Sequence, residues 1–496
     1  MTKYVMAIDQ GTTSTRAILF DYEGNAISTA QREVPNIFPN EGWVEISPLK
    51  VWISVVDVIN EVLINANTDM AHIDSIGITN QRETAIIWEK ETGLPVYNGV
   101  VWQSRQSVDI CESLEEYREI IHQKSGLLIN PYFSASKIRW ILDHIPNGQE
   151  RAEAGELMFG TVDTWIIYKL TQGRTFATDV TNASRTMLFN IFELKWDDEL
   201  LRIFNVPKCM LPEVKASSDD YGEASYFPGN VHIFADAGDQ HASLFGHNCF
   251  NAGDSKNTYG TGCFMLMNTG TKPILSKNGL LTTIAWKIKD QVVYALEGSV
   301  FVGGASIQWL RDGLQVIEKA SESEKYATKV EDSEGVYFVP AFVGLGTPYW
   351  DDDVRGSMFG ITRATTKNHI IRATLEAIAY QTRDVFEVMK KEAGIEINSL
   401  RVDGGATQNN FLMQFQSDIL QLEVKKPKCL ETTALGAAYL AGLYSGYWKD
   451  TWDIRSKHQY QAKFNPKMDK EVAAKKLKGW DLAVKCAINF KPRREK

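Results

Sequence analysis

Cysteine is scarce, with six in 496 residues, at positions 111, 209, 249, 263, 429 and 486, and no Cys-x-x-Cys among them. That excludes a disulfide framework, and the expectation is reduced, buried thiols in a cytoplasmic protein. The eight histidines show no metal-ligand spacing, and no Ser-His-Asp arrangement is legible. No run of 18 consecutive apolar residues occurs, so no membrane-spanning helix is expected. The opening Met1-Thr2-Lys3-Tyr4-Val5 lacks the basic and long apolar regions of a secretory signal. Lys plus Arg number 53 against 62 Asp plus Glu, and the resulting net charge of −9 argues against a nucleic-acid surface over the whole molecule. What remains is ordinary: 44% apolar and 23% charged residues exclude disorder and fibrous repeats. A chain of this length buries about three quarters of its unfolded surface, so its core needs no covalent staple. Length alone suggests roughly three domains, with two large ones equally allowed.

The first ninety residues set an architecture. Tyr4 to Ile8 is an apolar run that stops at Asp9 and enters a turn of small hydroxyl residues, Gly11-Thr12-Thr13-Ser14-Thr15. Arg16 to Phe20 and Ala26 to Ala30 continue as strands, the pattern of an antiparallel meander. Trp52, Val55, Val56, Ile59, Val62 and Leu63 then fall at helical spacing, and Ile73 to Ile78 is a strand. A like opening recurs past residue 250. Lys256 to Tyr259 runs into Gly260-Thr261-Gly262, Phe264 to Met267 leaves it, Leu280 to Trp286 and Val292 to Leu296 follow, and a helix is expected over Ala305 to Leu314. Two such meanders suggest two like-built domains across a cleft, 1–249 and 250–496, joined in the polar stretch Gly246 to Asp254. Lys491 to Lys496 reads as a solvated tail.

Five constellations offer chemistry. Asp9-Gln10-Gly11-Thr12-Thr13-Ser14-Thr15-Arg16 supplies close-approaching backbone, hydroxyl donors, a cation and an acid that can hold Mg²⁺ through water. A Thr/Ser-rich hairpin without a ligand reads equally well from this segment alone. Asn257-Thr258-Tyr259-Gly260-Thr261-Gly262 is a second turn of the kind, or a plain β-turn. Val402-Asp403-Gly404-Gly405-Ala406 with Asn409 and Asn410 lets backbone approach a flat ring or phosphate, or only relieves sterics at a strand-to-helix turn. Asp239, in Ala237-Gly238-Asp239-Gln240, closes a strand at Val231 to Ala235, where it can take a proton from an attacking hydroxyl or cap a helix starting near His241. Arg82-Glu83 with Trp102 and Tyr132 describes a pocket for a small polyol, or else a surface ion pair.

Taken in order, Asp-Gln-Gly-Thr-Thr-Ser-x-Arg, Asn-Gln-Arg-Glu-Thr, Val-Trp-Gln, Gly-Asp-Gln, Asn-Thr-Tyr-Gly-Thr-Gly and Asp-Gly-Gly-Ala closely resemble the glycerol-phosphorylating members of the FGGY carbohydrate kinases. Tyr132 to Trp140 and Gly360 to Glu376 resemble that family's signature regions, and the likeness spans residues 4–485. The resemblance implies an α/β fold of two actin/hexokinase-like (ribonuclease H-like) domains flanking a catalytic cleft. It also implies ATP and Mg²⁺ as cofactors, glycerol as partner, and a homodimer or homotetramer. By the same resemblance Asp9 holds Mg²⁺ through its water shell, and Thr12, Thr13, Ser14 and Arg16 contact the ATP phosphates. Arg82, Glu83, Tyr132, Asp239 and Gln240 bind the substrate hydroxyls, Trp102 and Phe264 pack on its carbon edge, and Asp239 is the general base. Thr261, Gly304, Gln308, Gly405 and Asn409 line the nucleotide side.

The likeness breaks at one place. Some bacterial members carry a Tyr-His-Phe loop before the catalytic Asp that is modified on its His, whereas the matching stretch here is shorter and reads Ser225-Tyr226-Phe227. Others are inhibited by fructose 1,6-bisphosphate through a Gly- and Arg-containing loop, and residues 221–230 hold no Arg. Neither control is expected here. His232 falls within the expected strand and reads as structural. Two rival readings stand beside the first. One is a family member acting on a pentulose or another polyol, against which Arg82, Trp102 and Phe264 argue by filling the space a longer sugar needs. The other is a nucleotide-switch or scaffold protein on the same fold, which has no use for Arg82, Glu83 and Asp239 together.

Overall fold

The computed structural model describes residues 3–351 and 353–490, so the expected tail at 491–496 and the first two residues of the opening lie outside the described residues. The first sheet contains β1 (Tyr4–Gln10), β2 (Ser14–Phe20) and β3 (Ala26–Glu33) as an antiparallel meander. β1 is apolar on both faces, and Val5, Met6, Ala7 and Ile8 are all buried, which suits a central strand covered on both sides. Helix α1 (Pro48–Asn65) follows. Ser47 caps it by accepting from the Lys50 N–H, Pro48 occupies the first turn, and Val51, Val55, Val58, Ile59 and Val62 form its buried stripe. β4 (Ile73–Asn80) then pairs parallel with β1.

Residues 85–230 form a largely helical insertion before the chain returns to the sheet as β5 (Ile233–Gly238), parallel to β4, giving the order β5-β4-β1-β2-β3. Helix α2 (Asp239–Gly246) leaves β5 directly.

The second sheet repeats the plan. β6 (Ser255–Tyr259), β7 (Cys263–Gly270), β8 (Leu281–Ile288) and β9 (Gln291–Val300) form the antiparallel part, and β10 (Ser399–Asp403) runs parallel to β6. Helix α3 (Gly304–Asp312) follows β9, and the long α4 (Lys367–Ala393) packs beneath. β11 (Glu423–Pro427) and β12 (Tyr460–Phe464) complete seven strands. Residues 247–254 connect α2 to β6.

The two halves share core. Helix α5 (Thr432–Ser445), from the second half, lies against the first sheet, where Ala434, Leu435, Ala437 and Ala438 cluster with Val5, Ala7, Ile18 and Phe20. Glycines make that approach close. A Cβ on Gly77 of β4 would strike the Ala437 carbonyl, and Cβ atoms on Gly246 and Gly436 would strike Thr432 and Ala242 backbone, so α2 and α5 touch main chain to main chain. Similarly, Leu281, Ile284 and Tyr294 of β8 and β9 join the core of the insertion, among Ile87, Phe133, Trp140 and Leu188.

Three details depart from expectation. Strand β5 begins at Ile233, not Val231, so His232 sits before it with a ring 40% exposed and Nδ1 3.0 Å from Asp220 Oδ1. The half-exposed ring is held by a carboxylate just outside the strand and not within it. All six cysteines are free, but Cys209 and Cys486 are exposed and Cys429 is half-buried, because they sit outside the sheet cores that bury Cys249 and Cys263. The strand through Phe264 extends to Gly270 instead of turning at Asn268. Among the described residues no helix is long and apolar enough to cross a membrane.

The glycine crossing gives a stability test. Gly436→Ala forces main chain apart in a filled seam and is expected to cost about 3 kcal/mol or more by urea unfolding, whereas Gly446→Ala, at an open helix end, costs about 1–2 kcal/mol for its positive φ. Equal losses at the two positions would contradict the packing described.

Candidate functional site

The parallel strands β1, β4 and β5 end side by side, with Asp9 opposite Thr79, Gln10 opposite Asn80, and Gly238 opposite Asn80. Asp9, near the end of β1, and Arg82, Glu83 and Asp239, just past β4 and β5, therefore gather at the carboxyl ends of adjacent strands, where open α/β sheets place their ligands. In the second sheet Thr258 opposes Asp403, which brings the turns at 260–262 and 404–405 together in the same way.

Arg82 and Glu83 are buried, not a surface pair. Arg82 Nη1 and Nη2 donate to the two carboxylate oxygens of Glu297 at 2.7 and 2.9 Å, its Nε lies 3.2 Å from Asp239 Oδ1, and Nη2 reaches the Tyr132 hydroxyl at 3.4 Å. Arg185 Nε donates to Glu83 Oε1 at 2.7 Å and its Nη2 to Glu297 at 3.3 Å. Two guanidiniums and two carboxylates thus neutralise one another inside the protein. Burial alone would lower the Arg82 pKa, but Glu297 and Glu83 outweigh it and hold the group well above its ordinary value. Burial pushes Glu297 up, while Arg185 and Arg82 prevail and hold it well below the carboxylate range.

Asp239 begins helix α2 and keeps its side chain 29% exposed. Its Oδ1 accepts the Gln240 N–H at 2.7 Å, so it does bond at the helix start while still facing the cleft. Burial raises its pKa, with Arg82 pulling it down and Glu83 pushing it up. The Gly238 N–H before it donates to Thr181 Oγ1 at 2.9 Å, which fixes the backbone from the insertion side.

In the first turn the Gly11 N–H closes on the Ser14 carbonyl at 2.9 Å, and the Thr13 carbonyl takes the Val34 N–H at 2.8 Å, leaving the Thr13 side chain exposed. Trp102 Nε1 donates to Thr12 Oγ1 at 2.9 Å. Indole nitrogen can only donate, so the Thr12 hydroxyl proton stays available for a ligand. Trp102 also meets Tyr132 and Phe264 edge-on, at centroid distances of 5.5 and 6.3 Å. Arg16 pairs with Glu431 at 3.1 Å and with Gln31 at 2.9 Å.

Asp9 is partly open to the cleft but enclosed elsewhere, and burial pushes its carboxyl up to about 7, against Arg16 and helped by Asp239 and Glu431. Such a carboxylate is relieved by a cation. Among the described residues no group of three or more His, Cys, Asp or Glu side chains is placed to hold a metal. One carboxylate oxygen with waters and substrate phosphates is the donor set Mg²⁺ commonly takes, so Asp9 fits that ion.

On the far side, Gly303 and Ala305 donate N–H to the Thr261 carbonyl at 2.8 and 3.1 Å, and Gly304 to the Gly260 carbonyl at 2.9 Å, locking the two glycine turns together. A Cβ on Gly304 would lie 2.7 Å from that carbonyl, so glycine is needed there. Gln308, on α3, is exposed. Gly404 takes φ 90° against the Tyr259 backbone, whereas Gly405 faces open space, with room for a ligand. Asn409 spends Oδ1 on the Leu412 N–H at 2.9 Å and Nδ2 on Ser323 at 3.2 Å.

The described contacts therefore join Thr12, Trp102, Tyr132, Arg82, Glu83, Asp239, Gln240 and Phe264 into one cluster. They do not tie Gln308, Gly405 or Asn409 to it. Sequence reasoning missed Arg185, Glu297 and Lys256. The signal is there for two of them: Glu297 is the one charge in Val292-Val293-Tyr294-Ala295-Leu296-Glu297-Gly298-Ser299-Val300, and Lys256 likewise lies in a buried strand. A charge inside a buried strand has to be paired, and active sites gather such pairs.

Two family models match this chain, the N-terminal domain of the FGGY family of carbohydrate kinases at residues 4–246 and the C-terminal domain of that family at residues 255–444. The chain belongs to the FGGY family of carbohydrate kinases. The glycerol kinases of Geobacillus sp. (strain WCH70) and Bacillus subtilis (strain 168) are 57% and 56% identical to this FGGY kinase over 496 residues, covering 99% of this chain and 100% of each relative. The crystal structure of Plasmodium falciparum glycerol kinase with ADP superposes with a TM-score of 0.92 at 37% identity, covering 98% of each chain. Gluconate kinase from Lactobacillus acidophilus, at 23% identity and a TM-score of 0.87, shares the two-domain fold.

Two measurements test the electrostatics of this FGGY kinase. Glu297→Gln removes the carboxylate that the two buried guanidiniums share, and a loss of about 3–5 kcal/mol in urea unfolding is expected. Asp179 is buried too, and burial pushes its carboxyl up to about 7. Unfolded, it ionises near 3.8. Between those values the folded state holds a proton that the unfolded state has released, so this group's contribution to stability falls as pH rises. Asp179→Asn removes the titration, so stability measured from pH 5 to pH 8 should fall less in the variant, by on the order of 2–4 kcal/mol.

Proposed function

We propose that this FGGY kinase transfers the γ-phosphoryl group of ATP to glycerol, giving sn-glycerol 3-phosphate. The observation that carries the reading is the Arg82–Asp239 contact at the mouth of a closed set of charges. Asp239 is partly exposed, oriented by Arg82 and the Gln240 N–H, and its pKa is raised toward the working range of a base. Asp239 takes the proton of the terminal hydroxyl as that oxygen attacks in line. Arg82 and Gln240 donate to hydroxyl oxygens while Asp239 and Glu83 accept hydroxyl protons, which matches two neighbouring hydroxyls. Trp102 and Phe264, 6.3 Å apart edge to face, wall the carbon edge and suit a three-carbon acceptor over a pentulose. The names and high identity of the full-length relatives support the same acceptor.

Thr12, Thr13, Ser14 and Arg16 would hold the phosphates, Arg16 exchanging Glu431 for a phosphate oxygen. Thr261, Gly304, Gln308 and Gly405 would line the nucleotide from the second half, with Asn409 acting through its hold on Ser323 and on the helix Asn410–Leu420 that it caps. Asp9 would hold Mg²⁺ through water. That ion supplies neutralisation of phosphate charge when bound. In this reading residues 1–249 bind glycerol and phosphate, residues 250–496 bind the nucleotide, and the enzyme works in the cytoplasm as a homodimer or homotetramer.

The test compares glycerol, pentuloses, hexoses and no acceptor in ATP-dependent phosphorylation, for wild type and Asp239→Asn. Glycerol turnover that falls by about 10²–10⁴ in the variant is expected. Turnover with a pentulose alone would replace the acceptor, and nucleotide binding without any acceptor turnover would favour a switch or scaffold.

A further inference from the structure

Lys256 lies wholly buried on β6, in the half of the chain opposite Asp239 and Gln240. Its Nζ donates to Gln240 Oε1 at 2.5 Å and to Thr258 Oγ1 at 2.9 Å. An ammonium group has donors and no acceptor, so the carboxamide of Gln240 can meet it only through oxygen. The orientation of that amide is thereby forced by chemistry. Among the described residues no acceptor meets Gln240 Nε2, which leaves the two N–H groups as the open end of the side chain. Burial lowers the Lys256 pKa to about 8, with Asp403 and Asp239 pulling it back up, so the group remains largely charged near neutrality.

We propose that Lys256 is a positioning residue that makes Gln240 an obligate hydrogen-bond donor to a hydroxyl oxygen of the acceptor. This deepens, and rests on, the reading of the site as one for a polyol. A hydroxyl that accepts from Gln240 has its own proton left for a carboxylate. Were Gln240 free to flip, its other orientation would offer the hydroxyl a second acceptor beside Asp239 and leave the oxygen without its donor. Lys256 fixes the polarity from the other half of the molecule, so this part of the pocket is complete only when both halves are in place.

Three variants test it: Lys256→Met, whose apolar chain fills a similar volume, Gln240→Glu, and the double. Gln240→Glu keeps the Lys256 contact and improves its charge match, but removes the donor. Both single variants are expected to raise KM for glycerol about tenfold or more, the worth of one hydrogen bond, while KM for ATP stays within about twofold. Glycerol KM unchanged in Lys256→Met overturns the proposal, as does an equal rise for both substrates, which marks a merely structural lysine. Thermal unfolding of the four proteins gives a readout independent of turnover. Gln240→Glu should hold or raise Tm while Lys256 is present, and lower it when Lys256→Met has already removed the ammonium group. Additive Tm changes overturn the Lys256–Gln240 contact. If wild type fails to phosphorylate glycerol while the Tm changes remain coupled, the acceptor assignment fails and the contact stands.

Discussion

A single buried contact, the two-pronged bond from Arg82 to Glu297, conditions most of what the site can be. Moving a charged side chain out of water costs several kcal/mol per ion even after relaxation, and only close, well-aligned partners offset it. Arg82 comes from the end of β4 and Glu297 from β9, so the partners belong to different sheets. Arg185 closes the group from the insertion by holding both Glu83 and Glu297. None of the four can leave without removing a partner from another. The geometry around Asp239 is therefore inherited from the relative placement of the halves, not from a local loop.

In the proposed function, hydrogen-bond polarity does the remaining selection. Arg and a clamped Gln only donate, and ionised Asp and Glu only accept. A ligand set among them must both give and take at each oxygen, as a hydroxyl does and a carbonyl or ether does not. The same logic extends to the first turn, where the Trp102 N–H fills a lone pair of Thr12 and leaves the hydroxyl proton for another acceptor. Selectivity here rests on which atoms are already spoken for.

The doubled meander is legible because strand alternation and hydroxyl-glycine turns are local: β1 to β3, α1 and β4 fall where the apolar pattern of residues 4–80 puts them. Asp9, Arg82, Glu83 and Asp239 are also legible, since strand ends adjoining small-residue turns are where α/β sheets expose side chains. Arg185 is not, and for Glu297 and Lys256 the sequence shows a charge within an apolar strand but not what it pairs with. Their meaning lies in partners 102, 215 and 16 residues away, and periodicity carries no information about such pairs. His232 stands just outside a strand end, where pairing with Asp220 and Glu223 overrides an apolar neighbourhood. Asn409 shows a subtler limit: its position is as motif order suggests, yet its polar atoms serve a helix cap and Ser323.

Helix α5 gives the fold a history as well as a shape. The apolar face of the first sheet, with Val5, Ala7, Ile18 and Phe20, is packed against Ala434, Leu435, Ala437 and Ala438. Synthesis reaches that helix roughly 190 residues after α2 is made, an interval of about 10–40 s at ribosomal rates. Throughout it the nascent first half carries a bare apolar surface with its glycine seam unfilled. The finished enzyme hides this dependence, which belongs to the nascent chain, where exposed apolar surface is the general ground for aggregation and chaperone binding.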